Sequence, residues 1–291
     1  MGLVEFARRQ GGPVKKTVEA LRRSHLWRAA CAVGLVVAVS VVGCGPSGPV
    51  LSADPTGTSL FEEGKLALDE EDWSGAGKAL DTLLKNYPAS PYLAEARLGL
   101  GLAYYEQARP DTLILGIDAF QGFLTYHPTH PRADYAQYMV GMSYMRQMRS
   151  ADRDQLETRN ALRAFDRFTE MFADSSLMPE ALKQQQVALD RLVDSELRVA
   201  RWQLDARGLW EAAASRAEEI LENYPNSSFQ CDLLFLLGES YKEGQKSVEA
   251  VEYYEEVVNN HPDCEFAQLA GERLTEIGST GPGAQGVGRD S

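Results

Sequence analysis

The sequence predicts an all-α protein: a superhelix of about five helix–turn–helix units plus a capping helix. Three observations predict it. A six-position register of small, large apolar and proline residues occurs twice, far apart in the chain, with spacings of 3, 9, 4, 3 and 5. No segment sustains the apolar–polar alternation that a half-buried strand needs. Prolines fall where helices of that register would have to start or stop.

The first unit reads Gly64, Ala67, Ala76, Leu80, Leu83 and Pro88, and the last reads Gly238, Tyr241, Ala250, Tyr254, Val257 and Pro262. Gly64 and Gly238 let two helices approach closely, and Ala76 and Ala250 do the same from the second helix. The larger residues form a stripe that packs on the next unit. Pro88 and Pro262 stop the second helix. Such units resemble the tetratricopeptide repeat, a helix–turn–helix of about 34 residues. Unit two carries Gly101, Tyr104, Phe120, Phe123 and Pro128, with three extra residues around Arg109-Pro110-Asp111. Unit three carries Gly141, Tyr144, Ala161, Phe165 and Phe168, with a polar loop at Ser150–Thr158 and Ala173 in place of the terminal proline. Unit four places Ala213, Ala217, Ile220 and Pro225 behind a long helical stretch from Pro179 to Asp205. A last helix, Glu265 to Ile277, caps the stack. Ser90-Pro91 and His130-Pro131 are expected to put proline at a first helical position. Asp154-Gln155-Leu156-Glu157 reads as a capping box with Asp in the Ser/Thr place.

The segments outside the repeats divide the chain. Basic residues up to Arg28 precede an apolar run from Ala29 to Val42, 14 residues long, and then Gly43-Cys44-Gly45. A run that short does not span a hydrocarbon core, which needs about 20 residues. Basic, then apolar, then small residues is the order of a secretory signal. With Cys44 behind the small residues it resembles a bacterial lipobox, which implies cleavage after Gly43 and lipidation of Cys44. Arg22-Arg23 partly resembles a twin-arginine export signal; the ordinary basic region of a leader explains it as well. The expected domains are a signal peptide at 1–43, lipidated Cys44 with a Gly-, Pro-, Ser- and Thr-rich tether at 44–59, the repeat domain at 60–277 and a disordered tail at 278–291.

Charge and cysteines narrow the partners. The first 43 residues hold 7 of the 29 Lys and Arg and 2 of the 42 Asp and Glu, leaving 22 basic and 40 acidic side chains, a net −18. Such a chain repels phosphate backbones and anionic lipid surfaces, which excludes nucleic acid as a partner class and assigns membrane attachment to the lipid. After loss of Cys31 and lipidation of Cys44, only Cys231 and Cys264 remain, 33 residues apart. Neighbouring helix axes pack about 8–10 Å apart, whereas a bridge needs Cα atoms within about 7 Å. Two buried free thiols are therefore expected rather than a disulfide.

No reaction chemistry is legible. Nucleophile elbow, zinc-helix and phosphate-loop motifs are lacking, and no catalytic residue, metal ligand or cofactor is assigned. His127 and His130 flank Pro128 and precede Pro131, so they read as a turn and not as one helical face. The acidic run Asp69–Asp72 reads as a solvated turn between helices. A binding protein, not an enzyme, is expected, with a concave groove for extended or helical peptides. The Tyr-rich first helices of units two and three, with Tyr104, Tyr105, Tyr135 and Tyr138, supply its candidate lining, although at least half of these rings are expected to be core.

The stretch from His127 to Gly141 (HPTHPRADYAQYMVG), Asp152-Arg153-Asp154 and the helix Ala161-Leu162-Arg163-Ala164-Phe165 together resemble the BamD family of outer-membrane assembly lipoproteins. The order of lipobox, tether and five repeats is similar too, so the resemblance covers the mature chain. It implies a lipid-anchored subunit on the periplasmic face of the outer membrane. Its implied partners are the periplasmic domains of a barrel-forming assembly subunit and unfolded β-barrel precursors, which end in an aromatic residue and a free carboxylate. For that ligand Arg97, Arg132 and Asp134 join the four tyrosines as expected contacts. Arg216 matches by position a family arginine at the interface with the barrel subunit; alternatively it is an exposed i,i+3 partner of Glu219. The acidic fifth unit (Glu239, Glu243, Glu249, Glu252, Glu255, Glu256) departs from better-known members, so accessory lipoproteins are not carried over. The rival reading is a periplasmic repeat scaffold for cell-wall, division or pilus assembly.

Overall fold

The computed structural model describes residues 54–280. The leader, Cys44, most of the tether and the tail beyond Thr280 lie outside the described residues. Eleven helices and no strand occur among those described. Helices α1 (Thr58–Asp69) and α2 (Trp73–Asn86) form unit one, α3 (Leu93–Gln107) and α4 (Pro110–Tyr126) unit two, and α5 (Ala133–Met145) and α6 (Leu156–Met171) unit three. Helices α7 (Met178–Asp205) and α8 (Trp210–Asn223) form unit four, α9 (Gln230–Glu243) and α10 (Ser247–Asn260) unit five, and α11 (Ala267–Thr280) the cap. Each helix packs on the next in chain order, as a repeat superhelix requires.

Steric fit explains the register. A Cβ placed on Gly64 would lie 2.6 Å from the Leu80 side chain; on Gly101, 2.6 Å from the Phe120 ring. On Gly141 it would meet the Phe165 ring at 2.7 Å, and on Gly238 the Tyr254 ring at 2.5 Å. Each repeat glycine is thus the socket for the large residue of its own second helix, and all four large residues are fully buried. Burying one such side chain contributes about 1.5–3 kcal/mol. Unit four inverts the arrangement: Ala217 takes the large residue's place, and Val193 and Leu197 of α7 fill the space in the same cluster.

Helix ends follow the sequence with local exceptions. The second helices end on Tyr87, His127, Phe172, Tyr224 and His261, whose N–H groups bond the carbonyl four residues back, before Pro88, Pro128, Ala173, Pro225 and Pro262. Pro91 and Pro131 precede their helices instead of opening them: Tyr92 and Arg132 are the N-caps of α3 and α5. Pro110 does open α4, where the Arg109 N–H donates to Thr112 Oγ1 at 3.2 Å. The capping box at Asp154 does not form. Gln155 is the N-cap of α6, and Asp154 instead faces Arg159 at 3.7 Å. The loop before α6 is polar but tied down: Gln155 Nε2 donates to the carbonyls of Ser150 and Arg153, and Thr158, already in the first turn of α6, donates to Gln155 Oε1.

At the first unit, α1 begins two residues inside the segment read as tether. Asp54 accepts hydrogen bonds from the backbone N–H groups of Thr58 and Ser59 and from Ser59 Oγ. Those Ser59 bonds hold the Asp54 carboxyl well below the usual carboxylate range. Asp72, at the end of the acidic run, caps α2 by accepting from the Gly75 N–H at 3.0 Å.

The expectation of free thiols is overturned. Cys231 and Cys264 form a disulfide with Cα atoms 6.6 Å apart. Helix-axis spacing does not govern this pair, because only Cys231 is helical; Cys264 lies in the turn before α11, where the chain approaches α9 more closely than a helix axis can.

Candidate functional site

The first helices of units two and three, α3 and α5, bring Tyr105, Tyr135, Tyr138 and Arg132 into one cluster. Tyr105 is buried, and the Arg146 guanidinium lies 4.1 Å from its ring centroid. Arg146 Nη1 also donates to the Tyr105 carbonyl at 2.6 Å, and Nη2 lies 3.7 Å from Glu106. Burial raises the Glu106 carboxyl above its usual range, with Arg146 opposing the shift. On α5, the Arg132 guanidinium lies 5.7 Å from the Tyr135 ring centroid. Tyr138 stands edge-on to Phe165 and Phe168 of the unit-three core.

Burial pushes the phenols of Tyr135 and Tyr138 up to about 12, Arg132 opposing this at Tyr135 and Glu180 adding to it at Tyr138. Burial raises the Tyr105 phenol too. All three are therefore neutral hydrogen-bond donors at physiological pH. Burial lowers the Arg132 guanidinium, which starts so far above neutrality that the shift leaves its charge in place. Two tyrosines of unit five are spoken for: Tyr254 donates to Glu239 at 2.6 Å, and Tyr241 to Glu218. The phenol oxygens of Tyr105, Tyr135 and Tyr138 reach solvent and have no hydrogen-bond partner among the described residues. The cluster offers aromatic area, unused neutral donors and two cations, which is recognition chemistry.

The other expected contacts lie elsewhere. Tyr104 points away from Tyr105 and reaches Gly77 of α2, within the unit-one core. Arg97 pairs not with Tyr104 but with Tyr126, its guanidinium 4.4 Å from that ring centroid at the end of α4. Asp134 accepts from its neighbour's N–H at 2.7 Å and from Ser175 Oγ at 2.6 Å, tying α5 to the turn before α7. It is a brace and not an open ligand. Arg146, not among the residues expected from sequence, is the cation against Tyr105.

Arg216 forms a second, smaller site. Its partner is not Glu219 but Glu196 of α7, at 2.7 Å. The buried Arg216 Nε has no hydrogen-bond partner, beside a hollow of about 170 Å³ that Glu219 and Tyr224 help to line.

Comparison with known proteins adds a family. A family model described as outer membrane lipoprotein matches residues 53–246, and a tetratricopeptide-repeat model matches residues 232–263. An outer membrane protein assembly factor BamD of Neisseria meningitidis serogroup B is 29% identical over 217 residues, 71% of this chain and 80% of the relative. The BamD of Vibrio cholerae is 28% identical over 220 residues, covering 72% and 89%. That of Caulobacter vibrioides is 27% identical over 210 residues, covering 71% and 68%.

Proposed function

The chain belongs to the outer membrane lipoprotein family, and from that premise we propose that it is the periplasmic adaptor of outer-membrane β-barrel assembly, held to the outer membrane by lipid on Cys44. A role in outer membrane protein assembly follows from its relatives. The finer reading is that it binds the C-terminal segment of unfolded barrel precursors at the α3–α5 cluster and the periplasmic domains of the barrel-forming subunit around Arg216.

The observation that carries the first part is the set of three solvent-reaching phenols without internal partners, bounded by Arg132 and Arg146. A terminal aromatic ring packs against Tyr135 and Tyr138, and the free carboxylate takes phenol donors and Arg132. The unpartnered Arg216 Nε supports the second part, since a buried donor left unsatisfied costs about 1–3 kcal/mol that a docked acceptor recovers.

A fluorescein-labelled ten-residue peptide ending in Phe with a free carboxylate tests the site on the detergent-solubilised full chain. The free-acid peptide is expected to bind at least about tenfold more tightly than its C-terminal amide, a difference of about 1.4 kcal/mol. Tyr135→Phe and Arg132→Gln should erase most of that preference while leaving the helical circular dichroism unchanged. Equal binding of acid and amide would sink this assignment.

A further inference from the structure

Helix α5 has a second face. Positions 135, 138 and 142 lie opposite 137, 140 and 144 at the helical period. The second set floors a cleft of about 630 Å³ walled by α4 on one side and α6 on the other. Its floor includes Val140 and Tyr144, its α4 wall Leu124, and its α6 wall Arg163, Arg167 and half-exposed Met171.

We propose that this cleft docks an extended acidic segment of a partner protein, whose alternate side-chain carboxylates pair with Arg163 and Arg167. The two arginines are the first reason. The chain has far more carboxylates than cations, and eight of the fifteen arginines among the described residues face a carboxylate, Arg109, Arg201, Arg216 and Arg273 among them. Arg163 makes one hydrogen bond, to Asn160 Oδ1 at 2.6 Å, and Arg167 makes none; neither is ion-paired among the described residues.

The repeat register supplies the second reason. The places of Arg163 and Arg167 hold Lys78 and Thr82 in unit one, and Asp118 and Gly122 in unit two. In unit four they hold Ser215 and Glu219, and in unit five Glu252 and Glu256. Packing of the repeat therefore does not require cations there; unit three alone has a pair. Paired arginines without carboxylates, above apolar floor and wall, are complementary to an acidic and partly apolar strand.

The dimensions fit an extended segment. Arg163 and Arg167 are one helical turn apart, about 6 Å along α6, close to the roughly 6.6 Å between alternate residues of an extended chain. From Asn160 to Met171 the α6 wall runs about 16 Å, the length of about five extended residues. Carboxylates at the first and third positions meet the arginines, and the side chain between them turns to Leu124.

Fluorescein-labelled, C-terminally amidated Leu-Glu-Val-Glu-Leu and its Gln counterpart test this on the detergent-solubilised full chain. The Glu peptide is expected to bind at least about tenfold more tightly than the Gln peptide, and the joint change Arg163→Gln, Arg167→Gln should remove that margin. Arg132→Gln, at the N-cap of α5 beside Tyr135 and outside the cleft lining, should leave it intact, which separates this cleft from the site of the C-terminal signal. A free-acid version of the Gln peptide distinguishes the source of the carboxylate: no gain over its amide supports side-chain recognition. Equal binding of the Glu and Gln peptides, binding undiminished in the double variant, or a loss with Arg132→Gln alone overturns the proposal.

Discussion

His127 shows how one side chain carries a pH dependence. It ends α4, donates its N–H to the Phe123 carbonyl and tilts its ring against Phe123, leaving Nε2 buried without a partner. Burial lowers its imidazole below the ordinary value near 6.5; Arg97 and His130 add to this, and Glu95 opposes it. The folded state therefore binds a proton less readily than the unfolded state, and stability rises with pH across the window just below 6.5. Its full contribution is present above the unfolded value and is lost as pH falls through and below it. The corresponding residues of units one and four are Tyr87 and Tyr224, so His127→Tyr keeps the ring and removes the titration. The melting temperature of the parent should fall between pH 7 and pH 5.5 more steeply than that of the variant; parallel profiles would show that His127 is silent. The same scale shows what the sequence could not reveal. Tyr104 and Tyr105 read as one aromatic pair, yet consecutive helical residues point about 100° apart, so one enters the unit-one core and the other meets α5. Arg146 left no local signal, because the carbonyl it bonds lies 41 residues earlier.

At the scale of elements, the register was legible because it is steric: a glycine in the first helix and a large side chain in the second are two halves of one contact. Helix starts were less so, since Asp154 and Gln155 compete for the same cap and Gln155 also has the Ser150 and Arg153 carbonyls to satisfy. The disulfide was hidden for a similar reason, because spacing alone does not say that Cys264 sits off the helix. Its consequence is local. The bridge closes a span of 33 residues and ties α9 to the entry of α11, a constraint worth about 3–4 kcal/mol in loop entropy. The cap buries Ala270 against Tyr254, Val257 and Phe235 of unit five. Stability in such arrays is a sum over neighbours, so the loss should stay near that end. Cys231→Ser with Cys264→Ser should speed amide hydrogen exchange in residues 267–277 and the facing turns of α9 and α10, with α1 to α6 unchanged. Uniform acceleration along the chain would mean that the bridge supports the whole stack.

For the whole molecule the question is what holds so acidic a chain at a membrane. A net charge of −18 after removal of residues 1–43 opposes contact with anionic lipid, and no helix among the described residues is long and apolar enough to cross a bilayer. We propose that attachment rests on acyl chains at Cys44, as membership of the outer membrane lipoprotein family suggests, since two or more chains at about 0.8 kcal/mol per buried methylene anchor stably and one does not. The repeat domain does not depend on that anchor for its fold: units one, two, three and five bury a large residue against their own glycine, unit four fills that space from α7, and every helix packs on the next from α1 through α11. Cys44→Ala should therefore yield a folded protein with unchanged helical circular dichroism that leaves the membrane fraction. Function should suffer through concentration and not through contact. On the proposed function the anchor confines the protein to a thin layer beside its partners, and losing it forfeits that effective concentration. Many outer-membrane barrels should decline together in cells carrying only the variant, and overproduction of the soluble form should restore them in part. A variant that unfolds, or that still sediments with membranes, would show that the domain and its attachment are not separable in this way.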